Sequence, residues 1–161
     1  IVNKLTRCYP DKLDVNDKII DFDLIIPEPQ FKQDCPREYI RTGCSHVQEV
    51  EGRPWFNWFA WREKFWGVKW NASDGYTEQG ETWMRMVFNT PWSFPEPIAE
   101  KIIELAKREG LDLDLRYADE DYGMNCGRVT YCSHTDECTK YFRYDLADSP
   151  EQWAKRLWEK Y

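Results

Sequence analysis

A tryptophan-rich stretch, residues 54–70, constrains the fold more than any other part of the chain. It holds five of the nine tryptophans, whose large rings must be buried or used at an interface. Pro54 suits the first turn of a helix, because that position needs no backbone N–H donor. Gly67 can take the left-handed conformation that ends a helix. We therefore predict a helix over 54–66, a stop at Gly67 and a strand over 68–70.

The nine tryptophans divide into those predicted for the core and those predicted for the surface. Helical spacing leaves Trp55 and Trp61 on the polar side of the 54–66 helix. Because nine indoles exceed what a domain of this size usually buries, we predict that these two are exposed and anchor a partner. The neighbouring Trp83 and Arg85 form a second candidate pair. The tryptophans predicted to fill the core are Trp58, Trp66, Trp70, Trp92, Trp153 and Trp158.

Elsewhere the chain alternates between short β-prone runs and two segments with a helical period. Residues 95–109 carry an apolar stripe, and Ser93 has capping-box spacing to Glu96 at their start. Ser149 likewise caps a predicted C-terminal helix, residues 149–161. Residues predicted to form strands are 2–9, 22–26, 82–90, 111–117 and a hairpin of 125–135 with 139–146, and residues 71–81 are predicted to be a linking turn.

These patterns predict one α+β domain, residues 1–161, with a largely antiparallel sheet and a C-terminal helix. The length is that of one domain, and it is enough to bury a core without disulfides or metals. Residues 31–52 are polar and contain turn formers, so we predict a loop excursion there. Within it, residues 47–50 can add a short edge strand.

The acidic balance narrows the classes of partner. A net charge of −7 argues against direct nucleic-acid binding, which needs a basic surface. It permits contact with a basic protein surface, or mimicry of a nucleic acid's charge. Strand alternation puts Asp112 and Asp114 on the solvent face, so we favour a solvated, partner-facing surface over a cation site. The acidic residues assigned to this surface are Asp112, Asp114, Asp119, Glu120 and Asp121.

The two histidines each belong to a Cys-Ser-His triplet. In a strand, residues i and i+2 share a face, so Cys44 and His46 could join Cys132 and His134 in a tetrahedral zinc site. The spacing is not that of a standard zinc motif, and exposed histidines with buried cysteines are the alternative. A catalytic triad would have to use one of these histidines, and no phosphate-binding glycine loop is present. We therefore expect a non-enzymatic protein with no cofactor apart from zinc.

The sequence also carries signals about location. No apolar run is long enough to span a membrane, and we find no signal peptide. The six cysteines do not form the dense framework of a small secreted domain. We therefore expect a reduced protein of the cytoplasm that contacts no membrane.

Several motifs occur in an order that resembles a known family. The most specific are Trp66-Gly67-Val68-Lys69-Trp70 and Thr90-Pro91-Trp92-Ser93, and others lie at 2–6, 22–29 and 117–121. Together they resemble the YubB-type ferredoxin-like domain family of phage- and plasmid-borne proteins, over most of residues 1–146. The resemblance implies a ferredoxin-like antiparallel sheet with helices packed on one face, and a mobile-element setting. It implies neither an iron–sulfur cluster nor catalytic residues.

The family setting, the acidic balance and the surplus of aromatic residues lead to a functional hypothesis. We expect a phage or mobile-element protein that binds a host protein in the host cytoplasm and inhibits it. A CRISPR effector or a restriction enzyme of a host defence system would be such a target. One alternative is a small-molecule or nucleotide binder that stacks a base in an aromatic-lined cleft. Another is a zinc-stabilised module.

Overall fold

The computed structural model describes residues 5–8, 18–29, 48–50, 53–55, 58–142 and 149–160. Its helices are α1 (Phe22–Ile25), α2 (Trp58–Phe65), α3 (Glu96–Glu109) and α4 (Pro150–Lys160). Its strands are β1 (Thr6–Cys8), β2 (Lys18–Ile20), β3 (Gln48–Val50), β4 (Arg53–Trp55), β5 (Ser73–Gln79), β6 (Met84–Asn89), β7 (Leu113–Ala118), β8 (Cys126–Cys132) and β9 (Glu137–Phe142). Strands β1–β2, β3–β4 and β5–β6 form antiparallel pairs, and β7, β8 and β9 form an antiparallel sheet in that order. The α+β prediction and the C-terminal helix are confirmed.

The chain divides into two compact units, Ile1–Pro91 and Trp92–Tyr161, which we call the N-terminal and C-terminal units. The N-terminal unit contains β1 to β6 with α1 and α2, and the C-terminal unit contains β7 to β9 with α3 and α4. A single domain over residues 1–161 stays a prediction. Within the described part of the chain, none of the helices combines the length and the apolar composition that crossing a membrane requires.

Aromatic rings form the core of the N-terminal unit. Phe22 meets Trp66 and Phe88 edge-on, with ring centroids 6.0 and 5.9 Å away. Trp66 also packs against Trp61 at 5.7 Å, and its Nε1 donates a 2.9 Å hydrogen bond to the backbone oxygen of Ile26. Trp66 therefore contacts both α1 and α2 and holds the two helices together.

Arg62 of α2 is held by two indoles and a carboxylate. Its Cζ lies 5.3 Å from the ring of Trp58 and 5.0 Å from that of Trp66. Its guanidinium donates two hydrogen bonds to Glu28, at 2.8 and 2.6 Å. A bidentate pair of this kind fixes geometry, so it ties α2 to the segment that follows α1.

A polar network joins segments of the N-terminal unit that are far apart in sequence. Asn71 Oδ1 accepts hydrogen bonds from the backbone N–H groups of Phe22 and Ala72, both at 2.9 Å. Asn71 Nδ2 donates to the buried Asp21 at 2.6 Å. Asp21 also accepts from the backbone N–H of Asp23 at 3.1 Å and so caps α1. One amide side chain thereby connects α1 to the residues that lead into β5.

The strand predicted at 22–26 is wrong, since this segment contains α1. The Asp21 cap satisfies an N–H group at the start of the helix, and this local bond outweighs the β-prone composition. The buried strand lies just before it, where β2 pairs with β1 and buries Ile19 and Ile20.

The helix predicted to start at Pro54 begins only at Trp58. Residues Arg53–Trp55 form β4 and pair with β3, so Trp55 lies on a strand and not on a helix. Strand β3 confirms the edge strand predicted at 47–50. The other residues of the predicted 31–52 loop lie outside the described part of the chain.

Gly67 follows α2 with a φ of +79°, as predicted for a helix stop. Residues 68–70 then form a bend and not the predicted strand. The turn predicted at 71–81 is also wrong, because most of it is β5, paired with β6. Its turn-forming residues make a β-bulge: Asp74 has a φ of +47°, and a Cβ at Gly75 would clash with the backbone oxygen of Val87 in β6.

In the C-terminal unit, α3 packs on the β7–β8–β9 sheet. The buried cluster consists of Ile103, Ala106, Val129 and Tyr131, with Phe94, Leu113 and Leu115 packed against it. Gly110 ends α3 with a φ of +66°, as predicted. The capping box predicted at Ser93 is wrong, because α3 follows Pro95 without a side-chain cap. Ser149 does cap α4, since its Oγ accepts from the N–H of Gln152 at 3.2 Å.

Candidate protein interface

A loop between β7 and β8, residues 119–125, is closed at its base. The N–H of Asp119 donates to the backbone oxygen of Asn125 at 2.8 Å. Within the loop, Asp119 Oδ1 accepts from the N–H of Asp121 at 3.1 Å, and the N–H of Met124 donates to the backbone oxygen of Asp121 at 3.1 Å. These bonds give the segment a defined turn structure. We call it the acidic loop, after its three consecutive carboxylates.

Other parts of the C-terminal unit anchor the acidic loop. Trp158 of α4 donates a 2.9 Å hydrogen bond from Nε1 to the backbone oxygen of Asp119. Asn125 Nδ2 donates to the backbone oxygen of Trp92 at 3.4 Å. Gly123 is buried with a φ of +89°, and a Cβ there would lie 3.1 Å from α4 atoms. The loop is therefore tied both to α4 and to the segment that precedes α3.

Large apolar side chains are exposed around the acidic loop. Trp92 is 71% exposed and Met124 is 66% exposed, although residues of both types are usually well buried. Hydrogen bonds join Trp92 and Trp158 to the loop that carries Met124, and exposed apolar groups gathered in one region mark interaction sites. The exposed set, which we call the aromatic–acidic surface, consists of Trp92, Glu120, Asp121, Tyr122, Met124 and Trp158.

The backbone of Trp92 is strained. Its φ is +59°, in the left-handed region that bulky residues rarely adopt. For a residue with a side chain that conformation costs about 1–2 kcal/mol, and glycine would avoid most of the cost. Strain of this kind clusters at functional sites.

The aromatic–acidic surface combines groups that recognise cationic side chains. Carboxylates accept charge-assisted hydrogen bonds from Arg and Lys, and the faces of Trp and Tyr rings attract the same cations. Trp and Tyr are also the residues most enriched at binding hot spots. Because the loop is already anchored, ordering it for binding costs little entropy. The arrangement suits a basic, partly apolar segment of another protein.

The predicted anchors lie in different environments of the N-terminal unit. Trp83 and Arg85 meet as predicted, with Arg85 Cζ 5.8 Å from the ring of a 53% exposed Trp83. Trp55 lies on β4, and its side chain is outside the described part of the structure. The exposure predicted for Trp61 is wrong: it is only 9% exposed and packs 5.0 Å from Phe65, since its side of α2 faces the aromatic core.

The five predicted acidic residues do not form one cluster. Asp112 and Asp114 lie at the start of β7, whereas the acidic loop follows its end. Asp114 accepts hydrogen bonds of 2.6–3.2 Å from Arg116 and Arg128. Partial burial alone would raise the pKa of Asp114, but these arginine hydrogen bonds outweigh it and lower the pKa. Asp114 is therefore paired with two arginines of the sheet. We take the carboxylates of the acidic loop, and not Asp114, as the candidate anionic groups for binding a partner.

The predicted zinc ligands Cys132 and His134 lie together with Asp112, a residue that the sequence prediction did not include as a ligand. One ligand atom from each lies within 4.8 Å of the other two. Cys44 and His46 lie outside the described residues. Hydrogen bonds from the hydroxyl and N–H of Thr135, and from the N–H of His134, lower the pKa of the Cys132 thiol.

Sequence reasoning missed most of the apolar part of the aromatic–acidic surface. Trp92 and Trp158 were predicted for the core, and Tyr122 and Met124 were not selected at all. Of the tryptophans predicted for the core, Trp66 is buried, Trp153 is partly buried, and Trp58, Trp70, Trp92 and Trp158 are exposed. A sequence feature that could have identified some of these residues is the position of large apolar side chains within turn segments. Because turns run over the surface, such side chains are expected to be exposed.

Comparison with protein families relates more than half of the chain to a known domain. A family model described as "Ferredoxin-like domain in Api92-like protein" matches residues 65–157. The match runs from the end of α2 into α4 and includes the whole acidic loop. Comparisons with curated proteins and with solved structures found no match. The ferredoxin-like fold that the sequence resemblance implied is confirmed.

Proposed function

The chain belongs to the family of the ferredoxin-like domain in Api92-like protein, and we propose that it uses this scaffold as a non-enzymatic interaction protein. The proposed contact is the aromatic–acidic surface, and the proposed ligand is a basic segment of a partner protein. The observation that carries the proposal is the exposure of large apolar side chains around an anchored acidic loop.

The charge of the chain supports a protein partner with a basic surface. The net charge of −7 would repel a nucleic acid and would speed encounter with a basic protein. Glu120 and Asp121 are exposed in the same loop as the exposed Tyr122, so one partner segment could contact a carboxylate and a ring together.

The resemblance to the YubB-type family supports a phage or plasmid setting for the interaction. In that setting the partner is a host protein in the host cytoplasm, and the proposed outcome is inhibition of a defence-system component. Such components bind nucleic acids through basic surfaces, so an acidic protein that covers one of them would block it. This mode of inhibition requires no catalytic step by the chain.

Capture from host lysate tests the proposal with a pair of charge-matched variants. In the surface variant, Glu120→Lys and Asp121→Lys reverse two loop charges while the backbone hydrogen bonds of the loop remain possible. In the control variant, Glu63→Lys and Glu81→Lys make the same change in net charge at exposed positions of the N-terminal unit. Tagged protein is incubated with nuclease-treated lysate, and captured proteins are quantified by mass spectrometry.

We expect the wild type and the control variant to capture one stoichiometric protein, and the surface variant to capture at least about tenfold less. Equal losses in both variants would mean that net charge alone governs binding. Full capture by the surface variant would place the contact elsewhere. Either result contradicts the proposed surface.

A further inference from the structure

We infer that Asp112, Cys132 and His134 form a binding site for a divalent transition metal, with zinc the ion that best suits the three ligands. One ligand atom of each residue lies within 4.8 Å of the other two. The site lies at the opposite end of β7 from the acidic loop. It is therefore independent of the proposed protein interface.

The sheet register brings the three residues together. Leu113 pairs with Tyr131, so the next residues outward, Asp112 and Cys132, face each other at the end of the β7–β8 ladder. The turn between β8 and β9 begins directly after Cys132 and places His134 at the same end. Ligands separated in sequence thus meet because of strand pairing and one tight turn.

Hydrogen bonds already hold one of the ligands, Asp112. Asp112 Oδ1 accepts from the N–H and the Oγ of Ser133, both at 2.8 Å. Supporting bonds of this kind orient ligands in protein metal sites. Two bonds to one carboxylate oxygen leave Asp112 with lone pairs for a metal.

The distances are compatible with a tetrahedral ion after a small adjustment. Zinc bonds of about 2.0–2.3 Å set ligand-to-ligand distances of roughly 3.3–3.7 Å in a tetrahedron. Since the present separations are at most 4.8 Å, the ligand atoms need to approach by no more than about 1.5 Å. His134 is exposed, so rotation of its side chain can bring the imidazole toward the other two ligands without disturbing the core.

The ligand types select the class of ion. Thiolate and imidazole favour zinc and similar transition metals, whereas magnesium and calcium prefer sites made only of oxygen atoms. One carboxylate, one thiolate and one imidazole leave a fourth tetrahedral position for water. The inferred site replaces the predicted Cys44 and His46 ligands with Asp112.

Cobalt(II) titration of the full chain tests the site, because a thiolate bound to cobalt gives a charge-transfer band in the near ultraviolet. We expect the band in the wild type and in a Cys138→Ser control, which removes an exposed cysteine of β9. Asp112→Asn, Cys132→Ser and His134→Gln should each weaken binding by at least about tenfold. A variant with both Cys44→Ser and His46→Gln should bind like the wild type.

Alkylation provides a second readout that does not depend on cobalt. Zinc should slow the reaction of Cys132 with iodoacetamide and leave that of Cys138 unchanged, with Asp112→Asn removing the protection. Absence of the charge-transfer band, or full binding by Asp112→Asn, would overturn the inference. Loss of the band in the Cys44→Ser, His46→Gln variant would overturn it in favour of the ligand set predicted from the sequence.

Discussion

Trp92 has a left-handed backbone conformation and a solvent-exposed indole ring. Its φ is +59° and its side chain is 71% exposed. Relative to glycine, this conformation costs a tryptophan about 1–2 kcal/mol. Stability and the proposed binding role therefore favour different residues at this position.

We predict that Trp92→Gly leaves the free energy of unfolding unchanged or raises it by about 1 kcal/mol, because relief of strain offsets the loss of ring contacts. The same change should weaken capture of the partner, as expected for an interface tryptophan. Chemical denaturation and lysate capture measure the two effects separately.

The matched control is Trp83→Gly, at an exposed tryptophan with an ordinary negative φ, and it should lower stability by about 0.5–1 kcal/mol. If Trp92→Gly lowered the free energy of unfolding by as much as Trp83→Gly does, the backbone at Trp92 would not be strained.

Asp114 links two strands of the C-terminal sheet through Arg116 and Arg128. Because its folded pKa lies below the ordinary value of 3.8, its stabilising effect is complete at neutral pH and is lost as the pH falls below that value. We predict that Asp114→Asn lowers the free energy of unfolding by about 1 kcal/mol at pH 7, a value limited by partial solvent exposure. The difference from the wild type should shrink toward zero in acid.

Denaturation of both proteins at pH 7 and at pH 3 measures the change in that difference. Glu104→Gln is the control, because Glu104 makes only an exposed pair with Lys101 among the described residues, and its effect should be near zero at both pH values. A difference for Asp114→Asn that stays constant with pH would show that lost packing, and not lost charge, is responsible.

Elements with a long, regular pattern were predicted well. The apolar stripe of α3, the leucine alternation of β7, the β8–β9 hairpin and the capped α4 are all confirmed. Each of these patterns is set by local spacing, which a single sequence displays. The same rule failed at 22–26, where one hydrogen bond from the Asp21 side chain to a backbone N–H decides between strand and helix.

Elements shaped by distant partners were not predictable in this way. Residues 73–75 have the composition of a turn, but pairing with β6 turns them into a bulged strand. The error at Trp61 has a different, local cause. Phe65 lies four residues later on the same side of α2 and packs on Trp61 together with Trp66, so the helical spacing already indicated an apolar environment.

At the scale of the whole N-terminal unit, Asn71 is the residue that connects distant segments. We predict that Asn71→Asp lowers the free energy of unfolding by about 2–3 kcal/mol, because the new carboxylate would face Asp21 and lose the 2.6 Å hydrogen bond. Chemical denaturation of the full chain measures the loss. Asn89→Asp makes the same chemical change at an exposed position of β6 and should shift stability by less than about 0.5 kcal/mol. Equal effects of the two changes would argue against the Asp21–Asn71 bond.

The proposed interface illustrates the limit of prediction at the scale of the molecule. The carboxylates of residues 119–121 were identified because consecutive acidic residues are visible in any sequence. Their apolar neighbours Trp92 and Trp158 were not, because they lie 27 residues before and 39 residues after Asp119, respectively. Only the fold places them beside the loop.

The hydrogen bond from Trp158 to the acidic loop also has a consequence for the timing of assembly. A ribosome synthesises the loop well before it synthesises α4, and folding during synthesis proceeds from the N-terminal end. A nascent chain that ends before α4 would carry the carboxylates and Trp92 but would lack the helix that anchors them. Binding competence should therefore appear late in translation, and truncated products should not compete with the finished protein for its partner.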